Sequence, residues 1–274
     1  MLEFAEARVL AEQMNKTIVG KRIHTVITGQ SPHKFAFFHG DPGNYNELLK
    51  GKTITGAAPN GGQLELKIED TYLVFGDGVS LQYLDKDAKR PQKHQLLMEF
   101  EDGTAIIGSV QMYGFLWCFK EGEFDNPYYL VAKEKPSPLS EGFTYAYFKE
   151  LISTPGTDKL SAKALLATEQ RIPGLGNGML QDILYNAGIH PKRKRQTMTE
   201  EDKEKLFASI KSTLSEIISK GGRDTEKDLY GNNGGYSTKL SKLTVDKPCP
   251  ICSNLIQKEA YLGGSIYYCI GCQH

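Results

Sequence analysis

The sequence predicts an α+β fold with two domains and a C-terminal metal-binding hairpin. Three observations lead to this fold class. One helix-like segment precedes a series of short β-like segments, the pattern becomes helical after a segment rich in proline and serine, and four cysteines form two close pairs near the C-terminus. The 274 residues allow one large or two medium domains, and 39% hydrophobic residues are enough for ordinary buried cores.

A helix is predicted at the start of the chain, over residues 2–15. Leu10 and Met14 lie at helical spacing among alanines and charged residues. The first turn carries Glu3 and Glu6, whose negative charge is favourable at the positive end of the helix dipole.

Short β-like segments follow, broken by glycine, asparagine and proline. Within them Leu64, Leu66 and Ile68 alternate with polar residues, which is the period of a half-buried strand. Many strands at this spacing behind a single helix favour an antiparallel sandwich or a barrel over a parallel sheet. The segments are RIHTVITG, KFAFFHG, KTITGAAP, QLELKIED, TYLVFGDG, HQLLMEFEDG and TAIIGSVQMYGFLWCF.

The predicted domain boundary is the segment AKEKPSPLSEG, residues 132–142, because proline, serine and charge dominate it. Helical patterns begin beyond it. Ser161 is a candidate N-cap, and Thr199 with Asp202 resembles a capping box before a helix that the glycines at 221–222 end.

A glycine-rich turn, RIPGLGNGMLQDILYNAGIHP, occupies residues 171–191. Gly174, Gly176 and Gly178 permit a tight turn with exposed backbone N–H groups, and Asn177 is the predicted N-cap of the next helix. Such a turn is an anion site. A dinucleotide fingerprint is excluded because it requires a preceding strand, whereas SAKALLATEQ has a helical pattern. Two interpretations stay open: a clamp on a DNA phosphate, and a turn that only packs two helices.

The four C-terminal cysteines read C-x2-C-x16-C-x2-C, a spacing that lets both pairs converge on one tetrahedral ion. They are Cys249, Cys252, Cys269 and Cys272. We predict one structural zinc ion, because a disulfide framework would not place four of five cysteines in two CxxC pairs. Cys118 is the remaining cysteine and is expected to be a buried thiol.

Charge and hydropathy limit the function classes. Lys plus Arg equals Asp plus Glu at 33 each, so the overall charge gives no support to nucleic-acid binding, which must be argued from local basic clusters such as Lys192–Arg195. No stretch approaches the roughly 20 apolar residues of a membrane span. The acidic N-terminal segment does not resemble a secretion signal, so a cytoplasmic location and no membrane partner are expected.

Three elements carry a resemblance to a known family. They are the turn GLGNGMLQDILYNAGIHP, the Lys163–Leu166 run before it, and the cysteine hairpin ending YYCIGCQH. Together they resemble the formamidopyrimidine-DNA glycosylase and endonuclease VIII family. The opening MLEFAE is similar to that family's Met-Pro-Glu-Leu-Pro-Glu, with Glu3 and Glu6 in register.

The resemblance implies a base-excision repair architecture. It comprises an N-terminal helix with a β-sandwich over 1–131, a helix–two-turns–helix domain over 143–240 and a zinc finger over 241–274. The implied partner is double-stranded DNA with a damaged base or abasic site, bound by a monomer. By position, Lys163 and Asn177 are expected to contact phosphates, which position the duplex without reading its sequence.

The chain departs from the family at positions that matter for chemistry. The family's nucleophile is a proline amine, but Leu2 occupies that position. The lysine of a family strand motif aligns with Gly62, and the arginine of the finger hairpin aligns with Gly264. The residues that fill the void left by an extruded nucleotide match Asp77, Met112 and Tyr113, of which only the last two suit insertion into a base stack.

The candidate catalytic group therefore centres on the chain start. The α-amine of Met1, one residue from the usual nucleophile position at Leu2, is a candidate for imine formation with an opened sugar. Glu3 is the candidate acid or base, and Glu6 is expected to orient the terminus. The polar segment 221–236 has the composition of a flexible lid, with Arg223 and Tyr236 as candidates to cover an extruded base.

Three function classes follow. The first is a DNA glycosylase or abasic-site lyase with an altered nucleophile. The second is a non-catalytic protein that binds damaged DNA on the same scaffold. The third is a zinc-bearing protein-interaction module that no longer binds DNA.

Overall fold

The computed structural model describes residues 1–274 and begins with helix α1, Phe4–Thr17. The helix starts two residues later than predicted because Glu3 is extended and precedes it as the N-cap. Phe4 and Ala5 belong to the core of the helical part of the molecule, whereas Leu10 and Met14 belong to the core of the sheet. The first helix thus lies between the two parts.

One seven-stranded sheet follows, in the order β1-β6-β7-β5-β4-β3, with β2 beside β7. The path is antiparallel throughout, as predicted, and only β2 pairs in parallel with β7. Apolar side chains from across the sheet meet in one core of 25 buried residues. The strands are β1 Ile23–Thr28, β2 Ala36–Phe38, β3 Ile54–Asn60, β4 Gln63–Ile68, β5 Thr71–Leu84, β6 Leu96–Phe100 and β7 Ala105–Lys120.

The second part of the chain is helical and has its own core of 22 buried residues. Helix α3 extends to Glu134, so it takes up the first three residues of the predicted linker. Residues 135–142 contain no helix or strand. The helices, including the short α2 within the sheet part, are α2 Tyr45–Leu49, α3 Pro127–Glu134, α4 Tyr145–Ile152, α5 Ala162–Ala167, α6 Asn177–Asn186 and α7 Glu200–Ser219.

The helix caps follow local sequence closely. The Ser161 hydroxyl accepts from the Ala164 N–H, and Thr199 with Asp202 forms the complete capping box, so both predictions are confirmed. The prediction for α6 was wrong by one residue: Gly176 is its N-cap, and Asn177 is the first helical residue. The side-chain amide of Asn177 is therefore free to form hydrogen bonds with another part of the molecule.

The segment predicted as a flexible lid, 221–236, is packed against both parts of the molecule. Leu229 is fully buried in the sheet core, and Tyr236 is buried in the helical core, where its hydroxyl donates to Asp182 at 3.0 Å. Arg223 is only 3% exposed. This segment is a structural strap, and the lid expectation is corrected on that ground.

A two-stranded hairpin, β8 Gln257–Tyr261 and β9 Gly264–Tyr268, lies near the C-terminus, and β9 packs against α6. Leu262 and Gly263 both have positive φ in the tight turn between the strands. No helix in the molecule is both long and apolar enough to cross a membrane.

Candidate active site and nucleic-acid interface

The anion at the glycine-rich turn is the protein's own Glu3. Its carboxylate accepts the Gly178 N–H at 2.8 Å and the Met179 N–H at 2.9 Å, at the N-terminus of α6. The side chain is almost completely buried. The backbone N–H groups of the turn thus bind an anion, as its sequence predicts, and that anion is Glu3. The phosphate contact expected of Asn177 stays a prediction.

Glycines are required here because two side chains approach the α6 backbone closely. A Cβ at Gly176 would lie 2.5 Å from the Glu3 carboxylate, and one at Gly178 would lie 1.7 Å from Nη1 of Arg223. Both distances are impossible for real atoms. The glycines were visible in the sequence, but the residues that need the space were not.

Arg223 joins the two glutamates that the sequence singled out. Its Nε donates to Oε1 of Glu6 at 2.7 Å, and its Nη2 lies 3.5 Å from Oε2 of Glu3. Burial alone would lower the pKa of Arg223, but Glu3 and Glu6 outweigh burial and raise this pKa, so the guanidinium stays charged. Burial raises the pKa of Glu3, and Arg223 opposes that rise.

Met1 and Leu2 have different surroundings although they are adjacent. Leu2 is buried in the sheet core, and its N–H donates to the Asp77 carbonyl at 2.6 Å. This pairing fixes Met1, whose α-amine forms an ion pair with the Glu226 carboxylate. Leu2 itself offers only an apolar anchor, so the candidate chemistry at the chain start belongs to Met1.

A cleft of about 360 Å³ opens beside the α-amine. It lies between strands β5 and β7 on one side and residues 224–227 on the other. Met1, Glu6 and Met112 line it, together with Glu226, whereas Glu3 lies outside its lining. The cleft brings an amine, carboxylates and an exposed apolar side chain to one place.

Lys163 and Asn177 both bond to the finger hairpin. Nζ of Lys163 donates to the Tyr261 carbonyl at 2.6 Å, and Nδ2 of Asn177 donates to the Ser265 carbonyl at 2.9 Å. Burial lowers the pKa of the Lys163 amine. A Cβ at Gly264 would lie 3.5 Å from Nζ of Lys163 and 3.6 Å from Nδ2 of Asn177. Gly264, which aligns with the family's arginine, thus lies beside both Lys163 and Asn177. That these two residues contact DNA phosphates stays a prediction.

Of the three void-filling candidates, two project into solvent. Met112 is 64% exposed and Tyr113 45% exposed, on the long strand β7. Asp77 instead accepts a hydrogen bond from the Tyr128 hydroxyl at 3.1 Å, and burial raises its pKa. The geometry therefore leaves Met112 and Tyr113 as the side chains available for insertion.

Gly62, aligned with the family's lysine, has no room for a side chain. A Cβ added at Gly62 would lie 2.9 Å from Cα of Gly174, because the turn between β3 and β4 packs directly on the glycine-rich turn. We expect Gly62→Lys to lower the free energy of unfolding by about 1–3 kcal/mol through overpacking, as measured by urea unfolding. Gly56→Lys is the control, since nothing lies within 4 Å of a Cβ there. A Gly62→Lys variant that is fully stable and binds DNA more tightly would refute this steric account.

The basic cluster at residues 192–195 is largely neutralised by ion pairs. Three of its four side chains have acidic partners on other elements, so it connects parts of the fold and provides little free positive charge. The pairs are Lys192–Glu259, Arg193–Asp202 and Arg195–Asp158.

The four finger cysteines come together as the spacing predicts. Their sulfur atoms all lie within 4.8 Å of one another, with 3.7 Å between Cys249 and Cys272 and 3.3 Å between Cys252 and Cys269. Tetrahedral coordination with zinc–sulfur bonds of about 2.3 Å requires sulfur separations of roughly 3.8 Å. All four are free thiols. The group can therefore bind a metal ion.

Sequence reasoning missed the roles of Arg223 and Glu226. Both were visible as charged residues within four positions of a helix-ending glycine pair. Their partners lie more than 200 positions away in the chain, so no local pattern could connect them.

Comparisons with known proteins agree with this architecture. Residues 135–228 match the formamidopyrimidine-DNA glycosylase H2TH domain. A formamidopyrimidine-DNA glycosylase of Wolbachia pipientis wMel is 30% identical over 283 residues and covers 100% of both chains. One from Bacillus cereus is 26% identical over 280 residues and covers 100% of this chain and 99% of its own.

Solved structures give the same result. A complex between the Lactococcus lactis Fpg and abasic-site-containing DNA has a TM-score of 0.84 at 25% identity and covers 99% of each chain. The MutM (Fpg) protein of Thermus thermophilus has a TM-score of 0.82 at 21% identity, over 99% of this chain and 98% of its own, and supports the fold alone.

Proposed function

Because the chain belongs to the formamidopyrimidine-DNA glycosylase family, a family of base-excision DNA repair proteins, we propose that it binds damaged or abasic double-stranded DNA and forms an imine through its α-amine. The observation that carries the proposal is the position of the Met1 α-amine at a cleft lined by Glu6 and Glu226. An amine beside carboxylates, in a cleft next to an exposed Met112, has the parts needed to react with an extruded nucleotide.

The catalytic step that we propose is attack of the Met1 nitrogen on C1′. On a damaged nucleotide the C1′–base bond breaks and the base leaves with its electrons and takes a proton, after which the C1′–O4′ bond opens and O4′ takes a second proton. On an abasic aldehyde water leaves instead, and both routes give the same imine. The resulting imine permits elimination of the strand, so excision and cleavage share one intermediate. Glu3 is the proposed acid. Burial raises its pKa, which is the direction that proton donation requires, whereas Arg223 and the Gly178 and Met179 N–H groups oppose the rise. Glu6 would act through Arg223 by holding the start of α1 in place.

The DNA contacts proposed for this chain come from three places. Lys163 and Asn177 lie where α5 and α6 meet the finger, and they would contact phosphates of one strand. Met112 and Tyr113 would enter the space left by the extruded nucleotide. The finger cysteines would hold one zinc ion, which supports the hairpin and takes no part in the chemistry. A monomer is sufficient for all these contacts.

Borohydride trapping on an abasic-site duplex tests the amine. We expect one covalent protein–DNA adduct, with the modified peptide containing Met1 when mapped by mass spectrometry. A short N-terminal extension of the chain should reduce adduct formation by on the order of 10-fold or more, because it moves the amine away from the cleft.

Two outcomes would contradict this assignment. An adduct on Lys227 or Lys242, which line the same cleft, would retain the lyase but remove Met1 as nucleophile. The absence of any adduct at every pH, with DNA binding intact, would favour a non-catalytic damaged-DNA-binding protein. That second candidate is favoured by one observation: both carboxylate oxygens of Glu3 already accept backbone hydrogen bonds.

A further inference from the structure

A carboxylate from the strap 221–236 contacts the reacting nitrogen. Glu226 forms the ion pair with the Met1 α-amine, and its other oxygen lies 3.9 Å from Nη2 of Arg223. The Glu226 side chain is 25% exposed and that of Met1 is 38% exposed, so the pair lies at the cleft surface, where a substrate and water can reach it.

The backbone holds Glu226 in this place. Its N–H donates to the Arg223 carbonyl at 3.1 Å, and its carbonyl accepts from Gly234 at 3.2 Å. Gly234 packs so closely on the preceding turn that a Cβ there would lie 2.1 Å from the Gly222 carbonyl carbon. Arg223, which anchors this turn, is itself held by Glu3 and Glu6.

None of the neighbouring carboxylates pairs with the α-amine. Glu3 accepts two backbone N–H groups, and Oε1 of Glu6 accepts from Arg223. Asp224 accepts from the Thr238 hydroxyl at 2.6 Å. Among the acidic groups around the cleft, Glu226 is therefore the one in contact with the α-amine.

We propose that Glu226 is a catalytic residue that takes the proton from the Met1 ammonium group and returns it to the departing oxygen. This inference rests on the proposed function, because it requires the α-amine to be the nucleophile. Arg223 is the positioning residue that keeps Glu226 beside the amine.

The proton balance of this step closes without a further reactant. An ammonium N–H bond breaks and an O–H bond forms on Glu226, which leaves a lone pair on nitrogen. This pair forms the bond to C1′ of the abasic aldehyde, while the carbonyl π electrons move to oxygen. Glu226 and a second nitrogen-bound proton convert that oxygen to water. Water leaves with the C–O bond electrons, and the nitrogen lone pair completes the protonated imine.

Single-turnover trapping of the full-length protein on an abasic duplex tests the assignment. We expect Glu226→Gln to slow adduct formation on the order of 100-fold, with Glu226→Asp in between and with unchanged DNA affinity. The difference in adduct-formation rate between the wild-type protein and Glu226→Gln should narrow as pH rises, because hydroxide then replaces the carboxylate as proton acceptor. Glu216→Gln, which removes an exposed carboxylate paired with Lys220 on α7, is the matched control.

A purely structural ion pair would behave differently. In that case the Glu226→Gln substitution would free the α-amine, and the variant would form the trapped adduct at the wild-type rate or faster. This result would overturn the role of Glu226 and leave the role of the Met1 amine as nucleophile intact. A wild-type protein that forms no adduct would overturn both. Should Glu226→Gln fold poorly in thermal unfolding, the Glu226→Asp rate and its pH profile decide the question in the same way.

Discussion

Replacement of Arg223 by methionine is expected to lower the free energy of unfolding by about 3–5 kcal/mol. The guanidinium is the shared partner of two buried glutamates, Glu3 and Glu6, and methionine fills similar volume without charge. Without Arg223, carboxylates that are only 3% and 5% exposed would be buried with no counter-charge. Urea unfolding at neutral pH measures this loss.

The effect should depend on pH in a defined direction. Burial already raises the pKa of Glu3, and Arg223 opposes that rise, so its removal raises the pKa of folded Glu3 further. A carboxyl whose pKa is higher in the folded state than in the unfolded state destabilises the fold least when it is protonated in both states. This is the case below the ordinary carboxyl pKa of 4.5. The destabilisation should therefore be smallest in acid and should grow as pH rises.

Two further variants check this explanation. Arg22→Met removes an arginine that is 59% exposed and lies 3.6 Å from Glu101, and it should cost about 1 kcal/mol or less. Adding Glu3→Gln to Arg223→Met should restore part of the lost stability, since it removes one unpaired charge. A loss that is small, or equal at all pH values, would mean that Arg223 does not compensate the buried carboxylates.

Replacement of Cys269 by serine is expected to remove the metal and unfold the finger. The finger contributes only three buried residues to its small core, and two of these are the candidate ligands Cys249 and Cys269. Metal binding in such small units supplies about 10–16 kcal/mol, which is their folding free energy. The helical core of 22 residues includes no finger cysteine, so the rest of the protein should stay folded.

Loss of the finger should also weaken DNA binding. Lys163 and Asn177 are held by carbonyls of the hairpin, and both would lose their orientation without it. We expect an affinity loss on the order of 10-fold or more, and a salt dependence that is shallower by about one unit because the cationic Lys163 contact is lost. Metal content and fluorescence anisotropy at several salt concentrations measure the two effects.

Cys118→Ala is the matched control, because Cys118 is buried in the sheet core and belongs to no cysteine cluster. It should keep one metal ion per chain and normal DNA affinity. Full DNA affinity in a metal-free Cys269→Ser protein would show that the finger does not position the DNA contacts.

Local chemistry was predictable from the sequence alone. The capping box of Thr199 and Asp202, the Ser161 cap and the convergence of four cysteines all depend on residues within about one turn or one hairpin of each other. The alternation in Leu64, Leu66 and Ile68 likewise predicts buried faces, and all three are fully buried. Such patterns follow from backbone periodicity and cap chemistry, which neighbouring residues decide.

Composition misled where single side chains mattered. The strap 221–236 is polar on average, which predicts a lid, yet Arg223, Leu229 and Tyr236 are almost completely buried. The glycine turn predicted an anion, yet the anion is a residue from the start of the chain. In both cases the average over a segment conceals which side chain meets a distant partner.

The amino-acid sequence by itself predicted the α+β class, the Ser161 and Thr199 helix caps, the cysteine cluster and the family resemblance, because each depends on short-range spacing. Only the tertiary structure decided that Glu3 occupies the turn, that Gly62 excludes a lysine and that Glu226 contacts the Met1 amine. The physical reason is distance along the chain. Charge pairing and steric exclusion act between atoms in contact, and in this protein those atoms belong to residues that folding brings together from opposite ends of the molecule.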